Sequence, residues 1–152
     1  GSESGRSEPP GFSREHAAPP LTLSIVVVVD VEACGPSPYS GTMTEFGAVA
    51  IHADRSGIRD TFHGVLVEAV PDFMNPAIPY IAPGAKRYDL AEVMTKFHDW
   101  LISLGERVVF VSDNPLYDGM WVWDAFDRAG LDNPFGHSGR RIADFAAGLS
   151  GQ

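Results

Sequence analysis

One cysteine, Cys34, stands among the 152 residues, and the longest uninterrupted aliphatic run, Ile25 to Val29, is five residues long. A lone cysteine forms no internal disulfide and anchors no multi-cysteine zinc site, and it fits a reducing, cytoplasmic setting. A run this short lies far below the roughly 20 apolar residues a spanning helix needs, and no basic segment of signal-peptide type precedes it. A membrane protein is therefore not expected. Basic residues are also scarce, 11 Lys and Arg against 20 Asp and Glu, for a formal charge of −9. That balance excludes a protein that grips nucleic acid by a broad cationic surface. A phosphate-bearing partner would need another handle, and carboxylates loaded with divalent cations are one.

Apolar residues make up 44% of the chain and include 9 Phe, 3 Trp and 4 Tyr, enough for one packed domain. Residues 1–20 contribute little to it. They are rich in Ser, Gly, Pro and mixed charge, with Phe12 as their one sizeable apolar side chain, and predict a disordered tail. The domain is expected over 21–152. LeuThrLeuSerIleValValValValAspValGluAla (21–33) is too apolar for an exposed strand and predicts a buried central one. ThrMetThrGluPheGlyAlaValAlaIleHisAla (42–53) predicts a second strand, AspArgSerGly (54–57) a hairpin turn, and residues 58–70 a third, antiparallel strand.

Pro, Asn, Gly and scattered aromatics between Pro71 and Ala85 predict a long irregular excursion of the kind that lies over a functional edge. Leu90, Val93, Met94, Phe97, Trp100, Leu101 and Leu104 then recur at helical spacing up to Gly105. Residues 107–112 predict a second buried strand, parallel to the first after the helical crossover. A helix follows over about 118–129, and residues 140–149 read as a short helix or a strand-to-helix start. The fold class is α/β, with three antiparallel strands, one parallel strand and flanking helices. Trp121, Trp123 and Phe126 on the last helix would favour a homo-oligomer if they do not all turn inward.

Two acids two residues apart on a strand, Asp30 and Glu32, project from the same face of a sheet. Their repulsion would be relieved by a hard, oxygen-seeking ion such as Mg²⁺ or Mn²⁺, although the pair alone also fits two solvated acids at a strand end. If the two buried strands are parallel neighbours, Asp118 in the first turn of the following helix comes to the same carboxyl edge, where open α/β sheets bind ligands. The alternative for that segment is a plain helix start, with Asp113 or Asn114 as cap and Asp118 favoured by the helix dipole.

ValAspValGlu (29–32), ThrGluPheGlyAlaVal (44–49) and AsnProLeuTyrAsp (114–118) together resemble the first two motifs of the DEDD 3′-to-5′ exonucleases, the superfamily of ribonuclease T and polymerase proofreading subunits. Residues 92–101 are similar to the helix between those motifs, and residues 133–144 resemble a subgroup of bacterial and phage exonucleases. The resemblance, over about 24–149, implies a ribonuclease H-like fold and two-metal phosphodiester hydrolysis at the 3′ ends of RNA or single-stranded DNA. It implies metal-binding and catalytic roles for Asp30, Glu32 and Asp118. By the same resemblance Ala33, Cys34 and Gly35 would hold the terminal nucleotide through backbone contacts, with Asn114 and Tyr117 beside it. Cys34 would be a small pocket residue, since no neighbour in sequence clearly lowers its pKa.

The family's third motif sets a His, or a Tyr, four or five residues before a fourth Asp. His137 and Asp144 are the late candidates, and they are too far apart; Asp144 instead resembles a structural acid between the second and third motifs. The chain is thus expected to be incomplete at its C-terminus, with weak or no activity. A catalytically inactive nucleic-acid- or protein-binding module of the same fold is the alternative.

Overall fold

The computed structural model describes residues 24–52, 54, 56–105 and 107–144. The tail expected over 1–20 and the end of the segment expected over 140–149 lie outside them. Among the described residues no helix is long and apolar enough to cross a membrane.

The elements run β1 (Ser24–Cys34), β2 (Thr42–Ile51), β3 (Ile58–Val65), β4 (Val70–Pro71), β5 (Pro79–Tyr80), α1 (Leu90–Ser103), β6 (Arg107–Ser112), α2 (Pro115–Arg128) and β7 (Gly139–Arg141). A five-stranded mixed sheet has the order β3-β2-β1-β6-β7. β1–β2 and β2–β3 are antiparallel, whereas β1–β6 and β6–β7 are parallel. Both parallel joints follow a helix, as a crossover requires.

Alternation along β1 assigns its faces. Val27, Val29, Val31 and Ala33 join one core with Phe46, Met94, Phe97, Trp121 and Phe126, so both helices cover that face of the sheet. Phe97 of α1 is the hub. Its ring meets Phe46 edge-on at 4.8 Å and stacks on Phe126 of α2 at 5.7 Å, geometries that add to area burial. Asp30 and Glu32 fall on the opposite face and are exposed.

The helix ends follow local chemistry. The Asp89 carboxylate accepts the Glu92 N–H at 2.8 Å and starts α1. Gly105, at φ 73°, releases the chain after it. α2 begins three residues before the expected 118, because Asn114 caps it and Pro115 takes the first-turn position where its missing N–H costs nothing.

One other expectation needs correction. The third strand, expected to reach residue 70, ends at Val65 because the Leu66 and Val67 N–H groups both turn to the Thr44 carbonyl, at 2.7 and 3.0 Å. The segment from 140, expected as a short helix or a strand-to-helix start, is the latter: it opens as β7, a fifth strand of the sheet, parallel to β6 over residues 139–141, and turns helical from Ile142. The oligomer argument also loses its premise: Trp121 and Phe126 are buried, and Trp123 packs on Phe110 and Phe135.

Candidate active site

β1 outruns β6. The two pair only from Ser24–Arg107 to Val28–Val111, so the last six residues of β1 have no β6 partner. α2 starts in the space beyond the end of β6, and its first turn reaches the bare edge of β1. There the Val31 N–H donates to Asp118 Oδ1 at 3.4 Å. Asp118 is 6% exposed, whereas Asp30 and Glu32, flanking Val31, face solvent.

The charges feel one another. Burial pushes the Asp118 carboxyl above the ordinary carboxylate range, and the Asp30 charge adds to the rise; the Val31 N–H opposes it. The buried Ser112 hydroxyl also favours the charged form, but it lies beyond strict hydrogen-bond distance of any partner, so its pull is the weaker. Glu32 is raised as well, first by partial burial and then by the charges of Asp30, Glu45 and Asp118. For so open a side chain, solvent screening keeps the energy small.

Glu45 was not among the expected site residues. Strand register reveals it: Glu32 pairs across the sheet with Glu45, and Asp30 with Gly47, which in turn pairs with His63 on β3. These positions share the face opposite the two helices. His63 Nε2 lies 2.7 Å from Glu45 Oε2. The sequence signal was the Glu45–Gly47 spacing on a strand opposite Asp30–Glu32, which becomes legible only once the register is known.

The remaining expected residues divide. Asn114 uses its side chain as a helix cap, accepting the Tyr117 N–H at 3.3 Å, and Tyr117 packs edge-on against Trp121 at 6.2 Å. Both stand within one helical turn of Asp118 while serving the local fold. Ala33 is buried, and Gly35 takes φ 97° where the chain doubles back so closely that a side chain would strike Gly41. The Cys34 thiol donates to the Pro79 carbonyl at 2.7 Å, and burial raises its pKa, which suits a pocket residue rather than a nucleophile. His137 lines a shallow cavity with Phe110, Pro115 and Trp123, apart from the three acids.

The donor set fits a divalent cation: oxygen ligands only, one of them buried, each raising another's affinity for positive charge. Among the described residues no group of three or more His, Cys, Asp or Glu is spaced to hold a metal ion. Asp118 is drawn toward the Val31 backbone and Asp30 and Glu32 toward water, so the three stand as an open set.

Comparison with solved structures supplies the fold's relatives. The nuclease domain of 3′hExo, a DEDDh family member, bound to rAMP, matches with a TM-score of 0.51 at 16% identity, over 74% of this chain and 63% of that one. The chain shares the fold of that domain. The zinc-bound complex of E. coli Exonuclease I with single-stranded DNA matches with a TM-score of 0.54 at 16% identity, over 78% of this chain and 27% of that one. The Exonuclease I/SSB-Ct complex gives 0.55 at 16% identity, over 84% and 30%. At this identity the likeness is one of fold, the ribonuclease H-like α/β architecture. The chain spans less than two thirds of the length of these exonuclease chains. No protein-family profile and no curated protein sequence matches it.

Proposed function

We propose that this chain carries the metal-binding half of a 3′-to-5′ exonuclease site acting on the 3′ ends of RNA or single-stranded DNA, of the ribonuclease T and proofreading-subunit kind. One observation carries the reading. The buried Asp118 carboxylate is tied to the backbone N–H between Asp30 and Glu32, at the carboxyl edge of the sheet where α/β folds bind ligands. Asp30, Glu32 and Asp118 would hold Mg²⁺ or Mn²⁺, and bound cations would supply charge stabilisation to the phosphodiester oxygens.

The chain's own residues have separable roles. Asp118 is fixed by Val31 and the start of α2, and it sets the geometry to which the two exposed acids adapt. Ala33, Cys34 and Gly35 continue β1 past that edge and present backbone to a terminal nucleotide, with Asn114 and Tyr117 at the opposite lip. The tight Gly35–Gly41 approach fixes the path of that backbone. No His–Asp pair at third-motif spacing occurs in these 152 residues, so the chain on its own lacks both the fourth carboxylate and the positioned base of the family pattern.

The open spacing of the acids favours a second reading, a catalytically inactive binding module of the same fold. Titration with Mn²⁺ followed by thermal unfolding tests the first. An ion that binds only the folded state must raise the midpoint. A dose-dependent rise, lost in Asp30→Asn and Glu32→Gln, supports the metal site, and no rise at millimolar Mn²⁺ rejects it.

A further inference from the structure

A cleft of about 270 Å³ opens between α2, the first residues of β2 and the chain just ahead of α1. Its floor is apolar: Met43, Leu66, Val67, Trp121 and Ala125 line it, and none is more than 6% exposed. Its mouth is cationic, with Arg87 and Arg128 lining it from exposed positions in a chain that has only 11 Lys and Arg. The two arginines differ. Arg128 is engaged already, with Nε 2.9 Å from Asp124 Oδ2 and Nη2 donating to the Pro38 carbonyl at 3.1 Å. Arg87 has no carboxylate within salt-bridge distance among the described residues. Its backbone is nonetheless fixed, because the Glu68 N–H donates to the Lys86 carbonyl at 2.8 Å and the Tyr88 N–H to the Leu66 carbonyl at 2.9 Å, on either side of a Val67–Arg87 bridge.

We propose that this cleft binds a small aromatic carboxylate, with the ring on the apolar floor and the charge at Arg87. The site is independent of the exonuclease reading: none of Ala33, Cys34, Gly35, Asn114 or Tyr117 lines it. A volume just below the roughly 300–1,000 Å³ of most ligand pockets limits the occupant to a small body. Tyr88 and Trp121, both lining the cleft, give a ring aromatic partners, and the buried aliphatic groups take it out of water. Charge selects the head. One free guanidinium matches one carboxylate, whose two oxygens its fork holds together. A phosphate dianion would need a second free cation. Arg128 is committed to Asp124, whose own charge opposes a dianion, and Lys86 stands over the Tyr88 ring, its Nζ 4.8 Å from the centroid, without lining the cleft. The braced backbone at Arg87 leaves mainly one side chain to order on binding.

The test titrates the full chain, labelled with ¹⁵N and free of metal, with benzoate while the indole N–H cross-peaks of its 3 tryptophans are followed. Trp100→Phe and Trp123→Phe assign two of them and leave Trp121. The Trp121 peak should shift saturably, and the Trp100 peak, bonded to Asp60 of β3, should stay in place. Arg87→Gln should weaken benzoate roughly 10-fold or more, the loss expected of a hydrogen bond to a charged group. Arg87→Lys should recover part of that loss. Lys96→Gln, which removes a cation of α1 outside the cleft, should change nothing. Benzamide, the same ring without the charge, should bind the parent about as weakly as benzoate binds Arg87→Gln. Because Arg87 is exposed, its variants should keep the parent's unfolding midpoint. No saturable shift of Trp121, equal benzoate affinity in parent and Arg87→Gln, or equal affinity of the parent for benzoate and benzamide overturns the proposal. So does displacement of benzoate by a single-stranded deoxyadenosine oligonucleotide, which would assign the cleft to the strand. None of these readouts involves Mn²⁺, so the metal site stands or falls separately.

Discussion

The Val31 N–H donates to the Asp118 carboxylate across 87 residues of sequence. That contact joins the two segments carrying the acidic residues, and it fills a backbone donor position that β6 leaves open by ending early. The same carboxylate is thus a structural cap for the sheet edge and a candidate metal ligand. Its replacement separates the two roles.

Asp118→Asn keeps an oxygen for the Val31 N–H and removes the charge. Burial holds the Asp118 pKa above its ordinary value, so the folded chain binds that proton more tightly than the unfolded one. Stability from this group is therefore greatest in acid and is lost as pH climbs from the ordinary value of about 3.9 through the raised one. The expected outcome is a variant more heat-stable than the parent at pH 7 without divalent ions, by a few degrees, the shift that about 1 kcal/mol gives in a domain of this size. The gap should close below pH 4 in melts run across pH, and the Mn²⁺ response should weaken.

Asp30→Asn and Glu32→Gln relieve repulsion without touching the core. Each should leave the midpoint unchanged or slightly raised without metal, and each should reduce the stabilisation by Mn²⁺, which for an intact site saturated at 100 times its Kd amounts to about 2.7 kcal/mol. Calorimetric titration with Mn²⁺ checks both. Unchanged affinity in the two variants would sink the assignment.

The chain as it stands should shorten a 5′-labelled oligonucleotide slowly or not at all. A missing general base alone typically costs on the order of 10²–10⁴-fold, and a missing metal ligand compounds it without simple additivity. A ladder of 3′-shortened products at near-stoichiometric protein with Mn²⁺, abolished by Asp118→Ala, would show that these three acids suffice.

At the far side of the sheet, Trp100 Nε1 of α1 donates to Asp60 Oδ2 of β3 at 2.9 Å, and this bond, followed by the Thr61 N–H, holds the Asp60 carboxyl below its ordinary value. Its contribution is present above the ordinary pKa and is lost as pH falls through the lowered one. Trp100→Phe should therefore be less stable than the parent near neutrality and approach it in strong acid. Urea midpoints at pH 7 and at pH 3 decide the matter.

Two glycines on facing sides of the sheet should respond in opposite ways to alanine. A side chain at Gly64 would meet Phe46 at 2.5 Å, beneath a ring that is 1% exposed, whereas at Gly47 it would meet nothing within 4 Å. Gly64→Ala should cost about 1–3 kcal/mol by overpacking, and Gly47→Ala should be neutral or stabilising. Urea unfolding measures both.

Periodicity alone located α1 to within a residue or two, because its seven apolar positions recur at helical spacing and both ends carry explicit stop and start chemistry. The Asp30–Glu32 pair was equally plain, since alternation on a strand fixes the shared face. Glu45 and His63 were hidden because their relation to those acids runs across strands, and register is a property of the turn and the bulge at Glu32–Ala33 rather than of any one segment. β7 was legible only as the strand half of a strand-to-helix start near residue 140, since GlyArgArg has no strand pattern of its own and pairs because β6 offers an edge. The openness of the acid set lay beyond reach too, since it depends on Asp118 being pulled to a backbone group that only the early end of β6 exposes.

That early end makes one amide a reporter. Along β1, the N–H groups deep in the sheet are shielded by strand ladders and should exchange with deuterium only when the sheet opens. Val31 is shielded on its α2 side by a single carboxylate at long range. Its exchange rate should therefore follow the protonation and ligation of Asp118, so that one cross-peak, read through an acid titration or a Mn²⁺ titration with a diamagnetic Mg²⁺ control, registers the state of the site without any substrate being turned over.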